Sequence, residues 1–364
     1  MFSAFANCWR IPELRARLIA TVALVFVARI GASIPLPGID PKDIMDYYQS
    51  MADKSSGGVV AMYNMFTGGA LLKGAVFSLG IMPYISASII MQLMSAVVPS
   101  IARLQQEGEI GRQKVAQYSR YLTILIALVQ SALLLGAFCN PQQVGQALGL
   151  GNFTGTIVVM ESKTLFVCLG VCLLTSGAIV MLWLGEQITQ RGIGNGISLI
   201  IFVGIVAEIP AALAQFFSQG RAGVISTPVI IGVLIMVVVV IAAVVFMERA
   251  LRKITIQYPR RQVGMKVFDG GSSNLPIKVN PSGVIPAIFA SSLLLLPITI
   301  STFSGAQTGP IMSTILAYFG PGQPLYLLFF VGMIVFFAYF YTFNVAFKVE
   351  DVAKNLQDQN GFIP

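Results

Sequence analysis

The groups that carry most enzyme and metal chemistry are missing from this sequence, or stand where they can do little of it. There is no histidine, so the commonest general base and the commonest metal ligand are both absent. That argues against an intramembrane serine protease or metalloprotease, and the chain is expected to be no enzyme and to need no cofactor. The four cysteines, Cys8, Cys139, Cys168 and Cys172, form no Cys-x-x-Cys pair. Cys168 and Cys172 lie four apart in an apolar run, share a helix face and read as small packing residues. No Gly-x-x-x-x-Gly-Lys-Ser/Thr run is present to cradle a phosphate, so any nucleotide hydrolysis belongs to a partner. Inside apolar stretches the ionisable groups are few: Arg29, Lys73 and Glu208. Arg29 and Glu208 fall toward the outer ends of their stretches and read as interfacial. Glu208 is the residue that an alternative reading, a secondary solute transporter, would use.

What recurs at comparable depth is isoleucine. Ile85 and Ile89, Ile197 and Ile201, and Val284 and Ile288 are spaced i, i+4 within "PYISASII", "GIGNGISLIIF" and "NPSGVIPAIFASS". Small residues flank them, which lets helix backbones approach closely. Each pair alone reads as core packing. Together they suit an apolar constriction for something bulky and unspecific.

The elements that must position these residues are membrane spans. Mean hydropathy is +0.80, with 56% hydrophobic and only 10% charged residues, where a soluble protein carries about 25% charged. A window of ~20 residues places eight crossings near 17–36, 75–98, 121–138, 164–185, 196–217, 227–247, 282–301 and 324–346. Met1–Pro12 has no apolar core long enough for a cleavable signal peptide. Of the 23 Lys and Arg, 17 fall on one side of this topology, which makes both ends of the chain cytoplasmic by the positive-inside rule. Residues 37–65 form an acidic outer loop. Residues 248–281 form a basic inner loop in which "KITIQY" and "MKVFD" alternate as a β-hairpin, a candidate docking post.

One segment does not fit a simple span. Residues 66–99, "FTGGALLKGAVFSLGIMPYISASIIMQLMSAVVP", would measure ~51 Å as one helix against a bilayer core of ~30 Å. Gly68, Gly69, Gly74 and Gly80 weaken its first part, and "GIMP" breaks it before a clean apolar run. We therefore expect a re-entrant half-helix over 66–80, with 81–98 completing the crossing and Lys73 in an aqueous funnel.

Seven stretches resemble the bacterial SecY family. They are "ARIGASIPLPGID" (28–40), "NMFTGGAL" (64–71), "SLGIMPYISASII" (78–90), "EGEIGRQKVAQYSRY" (107–121), "TQRGIGNGISLIIF" (189–202), "KVNPSGVIPAIFASS" (278–292) and "QDQNGFIP" (357–364). They cover essentially the whole chain in order. The resemblance implies an all-α polytopic membrane protein with the SecY-like channel fold, the pore subunit of a translocon. Such a channel passes unfolded polypeptide across the membrane and releases transmembrane helices sideways into lipid. Eight transmembrane helices are expected here of the family's ten. The N-terminal half would be 1–217, with the plug at 66–80. The incomplete C-terminal half would be 218–364, holding helices six to eight, the 248–281 loop and a cytoplasmic tail at 347–364.

The resemblance further implies a plug that includes Phe66, Gly68, Gly69, Leu71, Leu72, Lys73, Val76 and Phe77. It implies a pore ring of Ile85, Ile89, Ile197, Ile201 and Ile288. A lateral gate would lie between spans two and three and spans seven and eight, with Ser86, Ser88, Ser291 and Ser292 as its polar positions. Partner docking would use Arg249, Arg252, Lys253, Arg260, Arg261 and Lys266. Met265 and Lys266 stand where the family commonly carries two basic residues. The implied partners are the small membrane subunits SecE and SecG, the motor ATPase SecA, the ribosome, signal sequences, nascent polypeptides and membrane lipid, with no small-molecule substrate. The implied location is the bacterial plasma (inner) membrane.

Overall fold

The structure is a computed structural model that describes residues 11–40, 42–46, 63–139, 157–223, 226–258, 261–263, 266–268, 272–303, 324–343 and 349–358. A helix stands at each of the eight expected crossings. They are α1 (Pro12–Gly31), α2 (Met82–Val97), α4 (Glu109–Cys139), α5 (Lys163–Arg191), α6 (Gly196–Arg221), α7 (Thr227–Arg249), α8 (Ile285–Phe303) and α9 (Pro324–Tyr341). Two shorter helices, α3 (Pro99–Gln106) and α10 (Val349–Asp358), are also present among the described residues. Five of these helices, α4, α5, α6, α7 and α9, are long and apolar enough to cross a membrane, and the chain is a multi-pass membrane protein.

Proline sets several of the boundaries. Pro12, Pro83, Pro99 and Pro228 occupy the first turns of α1, α2, α3 and α7, where a missing N–H costs nothing and φ is already helical. Val98, between α2 and α3, is extended (φ −101°, ψ 110°) because the ring of Pro99 excludes the helical region for the residue before it. The first crossing ends at Gly31 rather than near 36 for the same reason. Pro35 forces Ile34 out of the helix and itself enters a β-bridge with Ala75.

The chain divides into two compact units, residues 1–213 with 291–329, and residues 214–290 with 330–364. In the first, α2, α4 and α5 pack in sequence, α1 lies against α5, and α3 folds back on both α2 and α4. The core gathers Leu36, Ile44, Leu79, Leu135, Phe166 and Leu174. Small residues bring the helices together. A side chain at Gly170 of α5 would overlap Leu135 of α4, and beside it the Ser131 and Thr175 hydroxyls lie 3.4 Å apart across the same pair. Where α4 and α5 leave the apolar zone, Arg120 grips Glu186 in a two-pronged ion pair (2.8 and 3.0 Å). Cys168 and Cys172 are not packing residues: both are exposed on α5, opposite the face that carries Gly170, Leu174 and Gly177. Cys8 lies outside the described residues.

In the second unit α7 buries none of its residues. The loop after it is a hairpin within a hairpin. Strand β1 (Leu251–Gln257) pairs antiparallel with β4 (Ser272–Lys278), and β2 (Arg261–Val263) pairs with β3 (Lys266–Phe268). The expected hairpin is therefore present with a different partner for its first strand: "KITIQ" runs against "SSNLPIK", and "KVF" folds back on "RQV". The register Ile254↔Leu275 and Arg252↔Ile277 places Ile254, Ile256, Leu275 and Ile277 on one face. Lys253, Thr255, Gln257 and Lys278 take the other. Phe289 of α8 meets Phe337 and Tyr341 of α9 edge-on, at centroid distances of 5.8 and 6.5 Å.

Packing through glycine makes a testable demand. A Cβ at Gly177 of α5 would overlap the Val76 carbonyl, whereas one at Gly136 of α4 meets nothing within 4 Å. Gly177→Val should lower the unfolding midpoint in detergent by the equivalent of about 1–3 kcal/mol of overpacking. Gly136→Ala should be neutral or slightly stabilising, given alanine's ~1 kcal/mol helical advantage over glycine. Equal shifts for the two variants, followed by thermal scanning, would refute this account of the packing.

Candidate functional site

Residues 63–81 are the point on which the first unit converges. The expected half-helix over 66–80 is not formed. A single helical turn at 63–67 gives way to successive turns through Ile81, where α2 begins. Four glycines take left-handed φ values: 63° at Gly68, 83° at Gly69, 54° at Gly74 and 54° at Gly80. Left-handed residues cannot continue a right-handed helix, and glycine adopts them without steric cost. The apolar content of the segment therefore buries it without making it helical.

Its backbone is satisfied locally. Gly69 donates to the Asn64 carbonyl (3.0 Å), Leu72 to the Asn64 side-chain oxygen (3.3 Å), Ala75 to Ala70 (3.0 Å) and Gly80 to Phe77 (2.8 Å). The Ser78 hydroxyl donates to the Ala70 carbonyl at 3.1 Å. Two backbone bonds then tie the segment to the chain just after α1: Leu36 N–H to Gly74 (2.8 Å) and Val76 N–H to Ile34 (2.9 Å). Ile44 from the 42–46 turn, wholly buried, rests on Gly74.

Three helices enclose the segment. Gly31 of α1 lies under the Phe77 ring, and Gly177 of α5 under Val76 and Phe77. Gly204 of α6 faces the backbone of Gly68 so closely that a Cβ on Gly68 would sit 2.8 Å from the Gly204 Cα. Of the expected plug residues, Gly68, Gly69, Leu71 and Phe77 are buried, Phe66, Leu72 and Val76 are half-buried, and Lys73 is exposed.

The five isoleucines lie in different settings. Ile201 of α6 lines one cleft with Phe66, Thr67, Ile81, Gly204 and Arg29. Ile85 and Ile89 are buried on α2, the former one helical turn beyond Ile81. Ile197 is half-buried with its side chain against Gly185 of α5. Ile288 is half-buried in the second unit.

Of the serines, Ser86, Ser291 and Ser292 are buried, and the Ser88 hydroxyl donates to the Ile85 carbonyl at 2.8 Å. The buried Ser292 hydroxyl and the side-chain oxygens of Gln92 and Gln130 have no hydrogen-bond partner among the described residues. In the basic loop, Arg249, Arg252 and Lys253 are exposed, Arg261 and Lys266 lie in β2 and β3, and Arg260 is outside the described residues.

Sequence reasoning missed the residues that hold the segment from outside. Arg29, which its position in the sequence marks as interfacial, donates from its guanidinium to the Gly68 carbonyl at 2.9 Å. Glu208, whose position reads the same way, presses its carboxylate on Gly69 so closely that a Cβ there would overlap it. A signal for Glu208 was present: Ile197, Ile201, Gly204 and Glu208 fall at i, i+4, i+7 and i+11, one stripe of α6. No such local signal marked Arg29.

Among the described residues no group of three His, Cys, Asp or Glu side chains is placed to hold a metal. The arrangement is a buried, glycine-turned backbone segment beside a small, mostly apolar cleft. Comparisons with other proteins identify the family. The family model for SecY matches residues 75–364. The protein translocase subunit SecY of Pseudomonas aeruginosa is 45% identical over 355 residues, covering 97% of this chain and 76% of the relative.

Two solved structures share the fold at 19% identity. One, of a SecY channel whose plug domain stabilises the closed state and maintains a membrane seal, aligns with a TM-score of 0.61 over 98% of this chain and 81% of its own. The other, Sec61 in a canine ribosome–channel complex, aligns with a TM-score of 0.60 over 96% and 79%. The chain belongs to the SecY family.

Proposed function

We propose that this chain is the central pore-forming subunit of a protein-conducting channel, which passes unfolded secretory polypeptides across the membrane and releases transmembrane segments through a lateral gate. The observation that carries the reading is the glycine-turned segment at 63–81, buried against α1, α5 and α6 beside Ile201, in a chain 45% identical to a translocase subunit. A plug must close the passage when idle and leave it when a chain enters. A compact body that makes many of its own hydrogen bonds can move while freeing only the few backbone groups bonded outside it.

In this reading Ile85, Ile89, Ile197, Ile201 and Ile288 form the yielding ring. A charge in a narrow, dewetted apolar constriction is costly, so ions are excluded, while branched aliphatic side chains offer no specific hydrogen bonds and yield to any passing residue. The lateral gate lies between α2 and α4 on one side and α8 and α9 on the other, with Ser86, Ser88, Ser291 and Ser292 among its polar positions. An apolar signal helix intercalates there. The N-terminal half, 1–217, holds helices one to five and the plug, and the C-terminal half, 218–364, holds helices six to eight and the basic loop. The positive-inside asymmetry supports cytoplasmic ends in a bacterial inner membrane. SecE and SecG would brace the channel, and SecA or the ribosome would dock on the nested hairpin. That hairpin presents Arg252 and Lys253 to solvent, beside Arg249 at the end of α7, and a ribosome–channel complex is among the structures sharing the fold. The motor supplies the energy.

Ile201→Asn, Ile85→Asn and Ile288→Asn, each in the assembled complex, should raise idle ion conductance across a planar bilayer and allow export of precursors with defective signal sequences. A loss of ~1.4 kcal/mol from the closed state corresponds to about a tenfold rise in the open fraction. Unchanged conductance in all three would reject the ring.

Arg252→Glu with Lys253→Glu should slow association of SecA or ribosomes by about tenfold, an effect that shrinks as salt rises. Binding kinetics that ignore both the charge reversal and the salt would remove the hairpin from the docking surface.

A further inference from the structure

We infer that Arg29 and Glu208 form a charged latch on the Gly68–Gly69 turn, and that this latch sets the threshold for releasing the plug. The inference rests on the channel reading and adds to it a pair of positioning residues on two separate helices. Arg29 comes from the last turn of α1 and reaches a residue 39 positions away to donate to the Gly68 carbonyl. The donor is a guanidinium, so this bond is charge-assisted. Glu208 comes from α6, where Gly204 one turn earlier lets that helix approach Gly68, and its carboxylate closes on Gly69. Opposite charges thus meet two consecutive glycines, each from a half-buried site on its own helix.

Apolar packing alone would have filled these positions at less desolvation cost. What the charges add is directionality: they hold one carbonyl and one turn, and they release together when that turn moves. The latch also acts on the part of the plug that needs it. Gly74 and Val76 are already tied through backbone bonds to Leu36 and Ile34, whereas Gly68 reaches its surroundings through the Arg29 side chain and the close approach of α6. Both glycines are left-handed, so neither position can carry a side chain that would replace the latch by packing.

The test uses the complete complex with its partner subunits and motor in planar bilayers and in export assays. Arg29→Gln and the near-isosteric Glu208→Gln should each raise idle conductance about tenfold and relax the signal-sequence requirement, while normal precursors are still exported. Arg29→Lys, whose ammonium can still donate to the carbonyl, should leak less than Arg29→Gln. A short crosslink between cysteines at Ala28 and Thr67, which line one cleft with Arg29, should return Arg29→Gln to low conductance. Loss of export marks a variant that does not assemble, and Glu208→Gln then carries the test. The latch is overturned if Glu208→Gln exports normally without added leak, or if Arg29→Lys and Arg29→Gln leak alike. In either case Ile201→Asn would still leak and the channel reading would stand. A parental complex that exports nothing would instead bring down the channel reading itself.

Discussion

A backbone that leaves regular helix at membrane depth must find partners for every N–H and C=O it frees, because lipid offers none. Residues 63–81 meet that constraint largely from within: Asn64, Ala70 and Ser78 bond the turns to one another, while Gly68, Gly74, Val76 and Ile81 bond to groups outside the segment. The rest of the first unit follows from it. Helices α1, α5 and α6 can enclose such a body only if their near faces are bare, and Gly31, Gly177 and Gly204 are where they are bare. The same glycines that allow the approach leave no side chains to interlock. The enclosed segment is held by the burial of Leu71 and Leu79 in the core, by surface fit at the glycines, by two backbone bonds and by the contacts of two charged groups.

Pro83 sits in the first turn of α2, shortly after the last left-handed glycine. The segment joins that helix through the Ile81 carbonyl, which accepts from the Tyr84 and Ile85 N–H groups at 3.0 and 3.1 Å. Regular helix begins only there, so the turns before it are not part of the α2 ladder.

Much of this was legible in the sequence, and the misses have definite physical causes. Hydropathy places a helix at all eight expected crossings because burial in lipid is a composition property summed over ~20 residues. The end of α1 was misplaced by about five residues because a window average does not see that Pro35 acts on Ile34. The glycines correctly marked the break in 66–80, yet the segment was expected to be helical because apolarity and helicity coincide elsewhere in membranes. Left-handed φ is a backbone property with no hydropathy signature. The nested hairpin shows the same limit: alternation identifies strands but not which strand is the partner, and register depends on the pairing of Ile254 with Leu275. Arg29 was least legible of all, since its partner is a backbone carbonyl 39 residues away and carries no residue identity.

The balance of interactions fits the task assigned to the site. A seal made only of aliphatic contacts closes by area and gives way gradually, since each small displacement forfeits a little dispersion energy. A seal made only of ion pairs in an apolar setting would be costly to assemble and would admit water and ions once open. Here Ile201 and Phe66 share the cleft with a single cation, and the anion stands on the neighbouring glycine. The apolar majority excludes ions. The polar minority is directional and short-ranged, so it yields over a fraction of the displacement that unpacking requires. Combining the two turns a gradual transition into one with a threshold, which a channel must have if it is to stay shut to ions yet open for a chain of arbitrary sequence.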